Sequence, residues 1–283
     1  MRKQITQTNF FSTFIKNKYR DLILKPALKL IINHQKYPTF WTMPHDTICR
    51  TILLDGFYEQ ALLQGMCKLS SGSDGLALDI GANIGNHSIY FSQYFKKVMA
   101  FEPVPSNCWI LKANLYLNNI KNVELHECGL SNHNHEMIVM SDVGHNTNNS
   151  LKKLSEENNP NETIVNAYSG DALLERISPK EKIILVKIDV EGHEPQVIEG
   201  LKCTLKTHKP LIFWEAFSLE TFNQSRIFLE DIGYKYFYHL STNKYSIKWI
   251  NKIFKSFNSA TYLKNIDSLD FSGMNVASFT PLH

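Results

Sequence analysis

The sequence predicts an α/β fold built on a mostly parallel, doubly wound sheet. Three observations carry this. First, the apolar run Leu76-Ala77-Leu78 closes at Asp79 and passes through glycines at 81 and 85 into a helical pattern of Ile89, Tyr90, Phe91 and Phe95. Second, the next apolar run, Val98 to Phe101, ends in Glu102, 21 residues after Gly81. Third, Glu181 to Ile188 holds the continuous run KIILVKI, broken only by Lys187. It ends at Asp189, and after another helical stretch Leu211 to Trp214 ends at Glu215. Strands that alternate with helices build a parallel sheet, whose ligands lie outside the carboxyl ends of the strands.

The first βαβ unit carries the strongest chemical signal. Strand, glycine turn, helix, strand and acid mark a nucleotide-type site, with Glu102 able to accept two hydrogen bonds from a ribose diol. A dinucleotide turn needs glycine in its middle, so that backbone amides can approach a pyrophosphate. Here the turn reads Gly81-Ala82-Asn83-Ile84-Gly85, and a side chain stands at that point. The turn therefore suits an adenosine cofactor without phosphate, S-adenosylmethionine being the common one, and Asp79 can meet its ammonium group directly or through water. Asn86 or Ser88 can cap the helix. An NAD-linked or nucleotide-sugar-binding enzyme with the same sheet is the competing reading, and Asn83 argues against it.

The totals exclude several classes. The chain has 283 residues, 43% apolar and 20% charged, with a net charge of +3, which suits one large globular domain plus an appendage and implies no nucleic-acid partner. No stretch reaches the ~18 uninterrupted apolar residues of a membrane span. Arg2 and Lys3 precede no long apolar core, so no cleaved signal is predicted. Five scattered cysteines without a Cys-x-x-Cys point to free thiols and a cytoplasmic setting.

In chain order, residues 1–70 read as an N-terminal helical extension or cap. Two amphipathic helices within 1–35 are basic enough for weak membrane-surface contact or for a subunit contact in a homo-oligomer. A helical pattern then runs from Asp55 to Leu69, and the turn-rich Ser70 to Gly75 opens the main domain, 71–283. A helix with Ile110, Leu111, Leu115 and Leu117 precedes the strand Val123 to His126. Cys128 and Gly129 follow it, where a side chain and a backbone amide can read a base edge. Residues 132–163 are polar and read as a lid-like loop, with a short strand at Met137 to Met140. His133 and His135 read as a solvated turn in preference to half of a metal site, and His145 as a side chain within reach of a substrate hydroxyl. A helix from Phe217 to Ile232, a strand from Tyr234 to Leu240, an amphipathic insertion at about 242–270 with a helix at 248–257, and a strand from Asn275 to Phe279 complete the chain.

Asp189, Glu191 and Glu215 are expected to gather at the rim beside the glycine turn. Helix capping accounts for Glu194 and at most for Glu191. It leaves Asp189 and Glu215, which end strands. Two roles remain: a carboxylate takes the proton from an attacking hydroxyl, or Asp189 and Glu215, with His193 as a further ligand, hold a divalent cation that acidifies it.

Asp79 to Asn86 (DIGANIGN), Phe101-Glu102-Pro103 and Lys187 to Glu194 (KIDVEGHE) resemble the FkbM-type S-adenosylmethionine-dependent methyltransferases. The likeness runs from about Leu76 to Glu215. It implies a seven-stranded, Rossmann-like class I methyltransferase sheet and methylation of an oxygen, often on a sugar or natural product. It also implies that Asp79, Gly81 and Glu102 bind the cofactor and that Asp189 lies by the methyl group. Together with the motif reading, the candidate cofactor contacts are Asp79, Gly81, Asn83, Gly85, Asn86, Glu102, Pro103, Cys128 and Gly129. The candidate catalytic residues are Asp189, Glu191, His193 and Glu215. The expected reaction is in-line methyl transfer to a hydroxyl of a sugar or surface-polysaccharide precursor, with a lipid or natural-product acceptor as the alternative. The lysine excess suits a phosphorylated or nucleotide-linked sugar. Specificity is expected in 1–70 and 242–270, which carry no such likeness.

Overall fold

Strands buried on both faces stack at the centre. Strand β1 (Leu76–Ile80) is wholly buried, with side chains alternating between two cores. The computed structural model describes residues 39–40, 48, 51–52, 56–70, 74–140, 151–152, 162–216, 218–242, 261–265 and 273–282. All of them belong to one unit spanning 39–283.

After helix α1 (Gln60–Leu69), the elements run β1, α2 (Asn86–Phe91), β2 (Lys97–Phe101), α3 (Pro105–Leu117), β3 (Val123–His126) and β4 (Gly129–Ser131). Then come β5 (His135–Met140), β6 (Leu151–Lys152), β7 (Glu162–Ser169), α4 (Gly170–Ile177), β8 (Ile183–Ile188), α5 (Glu194–Gly200) and α6 (Lys202–His208). The described chain ends with β9 (Leu211–Glu215), α7 (Leu219–Ile232), β10 (Tyr236–Thr242), β11 (Thr261–Asn265) and β12 (Met274–Ser278).

The main sheet has the order β11-β10-β12-β9-β8-β1-β2-β3. It is parallel from β9 to β3, and β12 pairs antiparallel with both β9 and β10. The mostly parallel α/β sheet read from the sequence is therefore present, with eight strands in place of seven. The extra edge strand is β11, antiparallel to β10, from a stretch expected within a helical insertion. The expected helix at 248–257 and the N-terminal helices within 1–35 lie outside the described residues.

One core packs Leu76, Leu78, Ile80, Val186 and Ile188 against Val197, Ile198 and Leu201 near α5 and Phe222 and Leu229 of α7. The other packs Ala77, Val98, Leu185, Phe213 and Val276 against Leu63 and Met66 of α1 and Ile89, Tyr90 and Phe91 of α2. Helix α1 starts later than the pattern from Asp55 suggested. Gly56 and Glu59 both hold positive φ, 87° and 55°, so residues 56–59 turn before the helix begins.

A second sheet has the order β4-β7-β5-β6. It bears out the short strand expected at Met137 to Met140, which lies in β5, and corrects the rest of the loop expected over 132–163, whose described residues also hold β6 and the start of β7. Met137, Val139, Val165 and Ala167 turn inward while Glu136, Ile164 and Asn166 face solvent. Val139 and Val165 close on Val104, with Met137 beside them. Residues 141–150, with His145, and 153–161 lie outside the described residues.

Period-2 alternation sends Asp79 and Lys187 to the same face, and they are register partners across β1 and β8. Lys187 is 1% exposed and Asp79 0%, and the ammonium lies 3.2 Å from the carboxylate. Removing one member of a buried pair strands the other, at a cost of about 3–5 kcal/mol. Lys187→Met is therefore expected to destabilise the protein by that amount in urea unfolding. Adding Asp79→Leu to Lys187→Met should restore most of the loss.

Candidate active site

The carboxyl ends of β1, β2, β8 and β9 open into one cavity of about 650 Å3. The turn after β1 shapes its floor. Gly81, Asn83 and Gly85 all hold positive φ, 78°, 49° and 94°, and asparagine tolerates this region better than most side chains. At Gly81 a glycine is required twice over, because a Cβ there would stand 1.9 Å from the Asp189 carbonyl oxygen. The end of β8 thus presses directly on the glycine turn.

Lys187 fastens this junction. Its ammonium donates to the Gly81 carbonyl at 2.9 Å and lies 3.2 Å from Asp79 and 3.6 Å from Asp189. Burial works to lower its pKa, but Asp79 and then Asp189 outweigh it and the net shift is upward. Ser88 of α2 donates its hydroxyl to the other Asp79 oxygen at 2.6 Å. Asp79 is fully buried and is not among the residues that line the cavity, so the structure does not bring it into direct reach of a cofactor ammonium. Sequence reasoning passed over Lys187. The signal for it was a lysine inside an otherwise apolar strand, two residues before an acid.

Glu102 lines the cavity from the end of β2. One carboxylate oxygen accepts the Asn83 N–H at 2.8 Å, and the other accepts the Val104 N–H at 3.0 Å and the Asn107 amide at 3.2 Å. Burial raises its pKa against the pull of these donors. Three donors leave capacity for a further hydrogen bond on the Asn83-bonded oxygen. Asn107 is itself 2% exposed and lines the cavity, and its Oδ1 has no partner among the described residues.

Of the other candidate cofactor contacts, Gly81, Asn83, Asn86, Pro103 and Gly129 line the cavity. Gly85 and Cys128 do not. Gly85 instead faces Leu111, which a Cβ would meet at 3.0 Å. Cys128 sits in the core, its thiol pushed up to about 11 by burial. Neither Asn86 nor Ser88 caps α2, which starts from Gly85 without a side-chain cap. The Asn86 amide holds Tyr58 instead, accepting its N–H at 3.0 Å and donating to its carbonyl at 3.1 Å.

The four candidate catalytic residues Asp189, Glu191, His193 and Glu215 all line the same cavity. The Asp189 side chain is 32% exposed. Glu191 and Gly192 take successive left-handed conformations, φ 53° and 105°. Burial and then the neighbouring charges of Asp189 and Glu215 raise Glu191 to about 7. Burial and Asp189 also raise Glu215. Glu194 ties the turn together, accepting the N–H groups of Gly192 at 3.0 Å and Val190 at 3.3 Å, and burial raises it to about 7.

His193 turns toward the second sheet. Its Nε2 meets the Ser131 hydroxyl at 2.9 Å, and burial with His135 and His133 lowers its pKa to about 4. Among the described residues no three His, Cys, Asp or Glu side chains are grouped to hold a metal ion. This corrects the expectation of a cation held by Asp189, Glu215 and His193, since the histidine is committed elsewhere. His133 and His135 stack on each other with centroids 4.3 Å apart.

Two further lining residues were invisible in the sequence. Glu59 and Tyr58, from the turn before α1, also line the cavity. Burial, Glu215 and Asp189 raise Glu59 to about 7, and burial and then Glu59 push the Tyr58 phenol upward. His87 also lines the cavity, lowered to about 4 by burial and then by Lys187.

The methyltransferase FkbM domain matches residues 79–236, more than half of the chain. The chain belongs to the FkbM methyltransferase family. This FkbM-family chain is 26% identical to Methyltransferase 1 of Beauveria bassiana (strain ARSEF 2860), over 45% of its own length and 59% of the relative's. It is 29% identical to Methyltransferase sdnD of Sordaria araneosa, over 46% of its own length and 61% of the relative's. The chain thus spans about three fifths of the length of these curated relatives. In fold it is similar to the precorrin-6y C5,15-methyltransferase of Geobacter metallireducens GS-15, with a TM-score of 0.50 at 17% identity, covering 87% of this chain and 100% of that one.

The clustered acids make stability depend on pH. Glu59, Glu191 and Glu194 have folded pKa values of about 7 against an ordinary 4.5. The folded state therefore binds more protons than the unfolded one between these values, so stability falls as pH rises from about 4.5 to about 7. Urea midpoints measured across this window should fall less steeply for Glu191→Gln than for the unaltered protein.

Proposed function

We propose that this FkbM-family protein methylates a hydroxyl oxygen of a sugar or surface-polysaccharide precursor, using S-adenosylmethionine. The observation that supports it is one cavity that joins Glu102 and the glycine turn on one side to Asp189, Glu191 and Glu215 on the other.

The residues present fit a nucleoside. Glu102 keeps an open acceptor position for a ribose hydroxyl, and the buried Asn107 Oδ1 beside it has no partner among the described residues. Val104, Gly129 and Leu130 supply apolar surface and close backbone for a base. Asn83 stands in the middle of the turn, where a pyrophosphate needs glycine, which favours a cofactor without phosphates over NAD. When bound, S-adenosylmethionine supplies a methyl group already activated on a positively charged sulfur.

The chain's own tasks are then alignment and proton transfer. Well-oriented reactants gain on the order of 7–11 kcal/mol from alignment, and the fixed strand ends provide it. Asp189 receives the hydroxyl proton in this reading. It sits on the rigid end of β8, partly open to the cavity, with Lys187 behind it at 3.6 Å. Glu215, at the end of the neighbouring β9, shares its field and orients the acceptor.

Calorimetry separates the cofactor readings. S-adenosylmethionine should bind and NAD should not, and the reverse result overturns the proposal. Glu102→Ala is expected to weaken S-adenosylmethionine at least tenfold, or about 1.4 kcal/mol. Asp189→Asn should leave that affinity within a few-fold and slow methyl transfer by roughly 10²-fold or more. The acceptor is found by incubating the protein with methyl-labelled cofactor and a lysate fractionated by size and charge, then locating the label.

A further inference from the structure

We infer that the acceptor side of the cavity, walled by Tyr58, Glu59, His87 and Glu215, takes an acceptor that carries a protonated amine beside the hydroxyl. The inference rests on the methyl-transfer reading above and narrows its substrate class to amino sugars and similar amino alcohols.

The charge balance of the wall comes first. Among the described residues six carboxylates line the cavity, those of Glu59, Glu102, Asp189, Glu191, Glu194 and Glu215, against one lysine, Lys187. Glu102 accepts backbone and amide donors on both oxygens, and Glu194 accepts two backbone N–H groups on Oε1. Lys187 is committed to Asp79, the Gly81 carbonyl and Asp189. Among the described residues Glu59, Glu191 and Glu215 have no ion pair. Their mutual repulsion adds to burial in holding their carboxyls above the ordinary range. S-adenosylmethionine contributes one net positive charge, from a sulfonium and an ammonium less a carboxylate. That leaves the acceptor side negative.

Such a field selects against a phosphate and for an ammonium. Among the described residues Lys187 is the one lysine that lines this cavity, so their charge disfavours the phosphorylated acceptor suggested by composition. A bare metal ion is also a poor match, because no three ligands are grouped to hold one among the described residues. A bulky ammonium needs only a surrounding field and one or two hydrogen-bond acceptors.

Geometry supports a built site. Glu59 is held in a left-handed conformation, φ 55°, which a residue with a side chain adopts only when its surroundings impose it. The two hydrogen bonds from the Asn86 side chain to the Tyr58 backbone fix it there. Asn86 directly follows the glycine turn, so one side chain ties the acceptor wall to the cofactor floor. His87, the next residue, is 8% exposed, and its Nε2 has no partner among the described residues. A buried polar atom without a partner is costly, and a ligand donor is one way to satisfy it. Its low pKa keeps the imidazole neutral, so it offers a ring nitrogen to a donor without repelling a cation.

The test uses the full chain with and without saturating S-adenosylhomocysteine, and three probes: D-glucosamine, N-acetyl-D-glucosamine and D-glucose 6-phosphate. Calorimetry should find glucosamine at least tenfold tighter than its N-acetyl counterpart, with the phosphate weakest. Glu59→Gln should bring the amine-to-amide ratio within threefold while S-adenosylhomocysteine affinity stays within twofold. Glu215→Gln should act in the same direction, and urea midpoints verify that both variants fold. Equal affinity of the two amino-sugar probes, no binding of glucosamine, or tighter binding of the phosphate overturns the inference. An amine preference in a protein that fails to bind S-adenosylhomocysteine keeps this inference and removes the methyl-transfer reading, so the two failures are distinct.

Discussion

The structure depends on one buried ammonium group. Lys187 sits between the ends of β1 and β8 and reaches a carboxylate on each strand and the carbonyl of the glycine that follows β1. A charge taken out of water survives only when it is paired and hydrogen-bonded, and here one carbonyl accepts its hydrogen bond while two carboxylates balance its charge. The same contacts set where the chain turns. Gly81 has no Cβ because the Asp189 carbonyl occupies that space, and Lys187 holds both pieces of backbone in register. Asp79 is consumed in this arrangement. An acid in the first motif thus stabilises the floor of the cavity from below and does not face its contents.

From that junction the acids of the rim acquire their character. Asp189 shares the lysine's field, while Glu191, Glu215 and Glu59 feel Asp189 and one another. Carboxyl groups raised toward neutrality are poised to take or release protons near physiological pH, which suits acid-base chemistry better than a fully ionised cluster would. The fold aligns them cheaply, because neighbouring parallel strands end on the same edge. The wall opposite is less regular. Tyr58 and Glu59 lie in a turn, and a turn needs tethers; the Asn86 amide provides two.

Much of this was legible in the sequence where a pattern repeats. Continuous apolar runs revealed β1, β2, β8 and β9, and the acid after each run marked the rim, so Glu102, Asp189 and Glu215 could be named in advance. Two kinds of feature escaped. Of the second sheet only the short strand at Met137 to Met140, part of β5, was read in advance; its partners β6 and β7 escaped because the pairing joins segments separated in the chain. Glu59 and His87 escaped for a different reason. Glu59 and His87 gain their chemistry from burial and from charges distant in sequence, and nothing local to either residue announces it. Lys187 lay in plain view, but read alone it looked like an interruption of a strand. Only the register that pairs it with Asp79 makes it a necessity.

The plainest rival account of the acids is that they serve the helix that follows β8. Negative charge is favourable there by about 0.3–1 kcal/mol. The local geometry limits this account. Helix α5 begins at Glu194 and is preceded by His193, which makes no side-chain cap. Glu194 binds the amides of Val190 and Gly192, so it braces the turn, and that role explains its burial. Glu191 adopts a left-handed backbone that a shorter, uncharged residue would adopt at less cost. Glu215 ends a neighbouring strand and Glu59 precedes α1, so both belong to other elements. Capping therefore accounts for one acid of the group. Of the rest, Asp189 lies 3.6 Å from the Lys187 ammonium, while Glu59, Glu191 and Glu215 have no ion pair among the described residues, so the cavity wall keeps acids that capping does not explain.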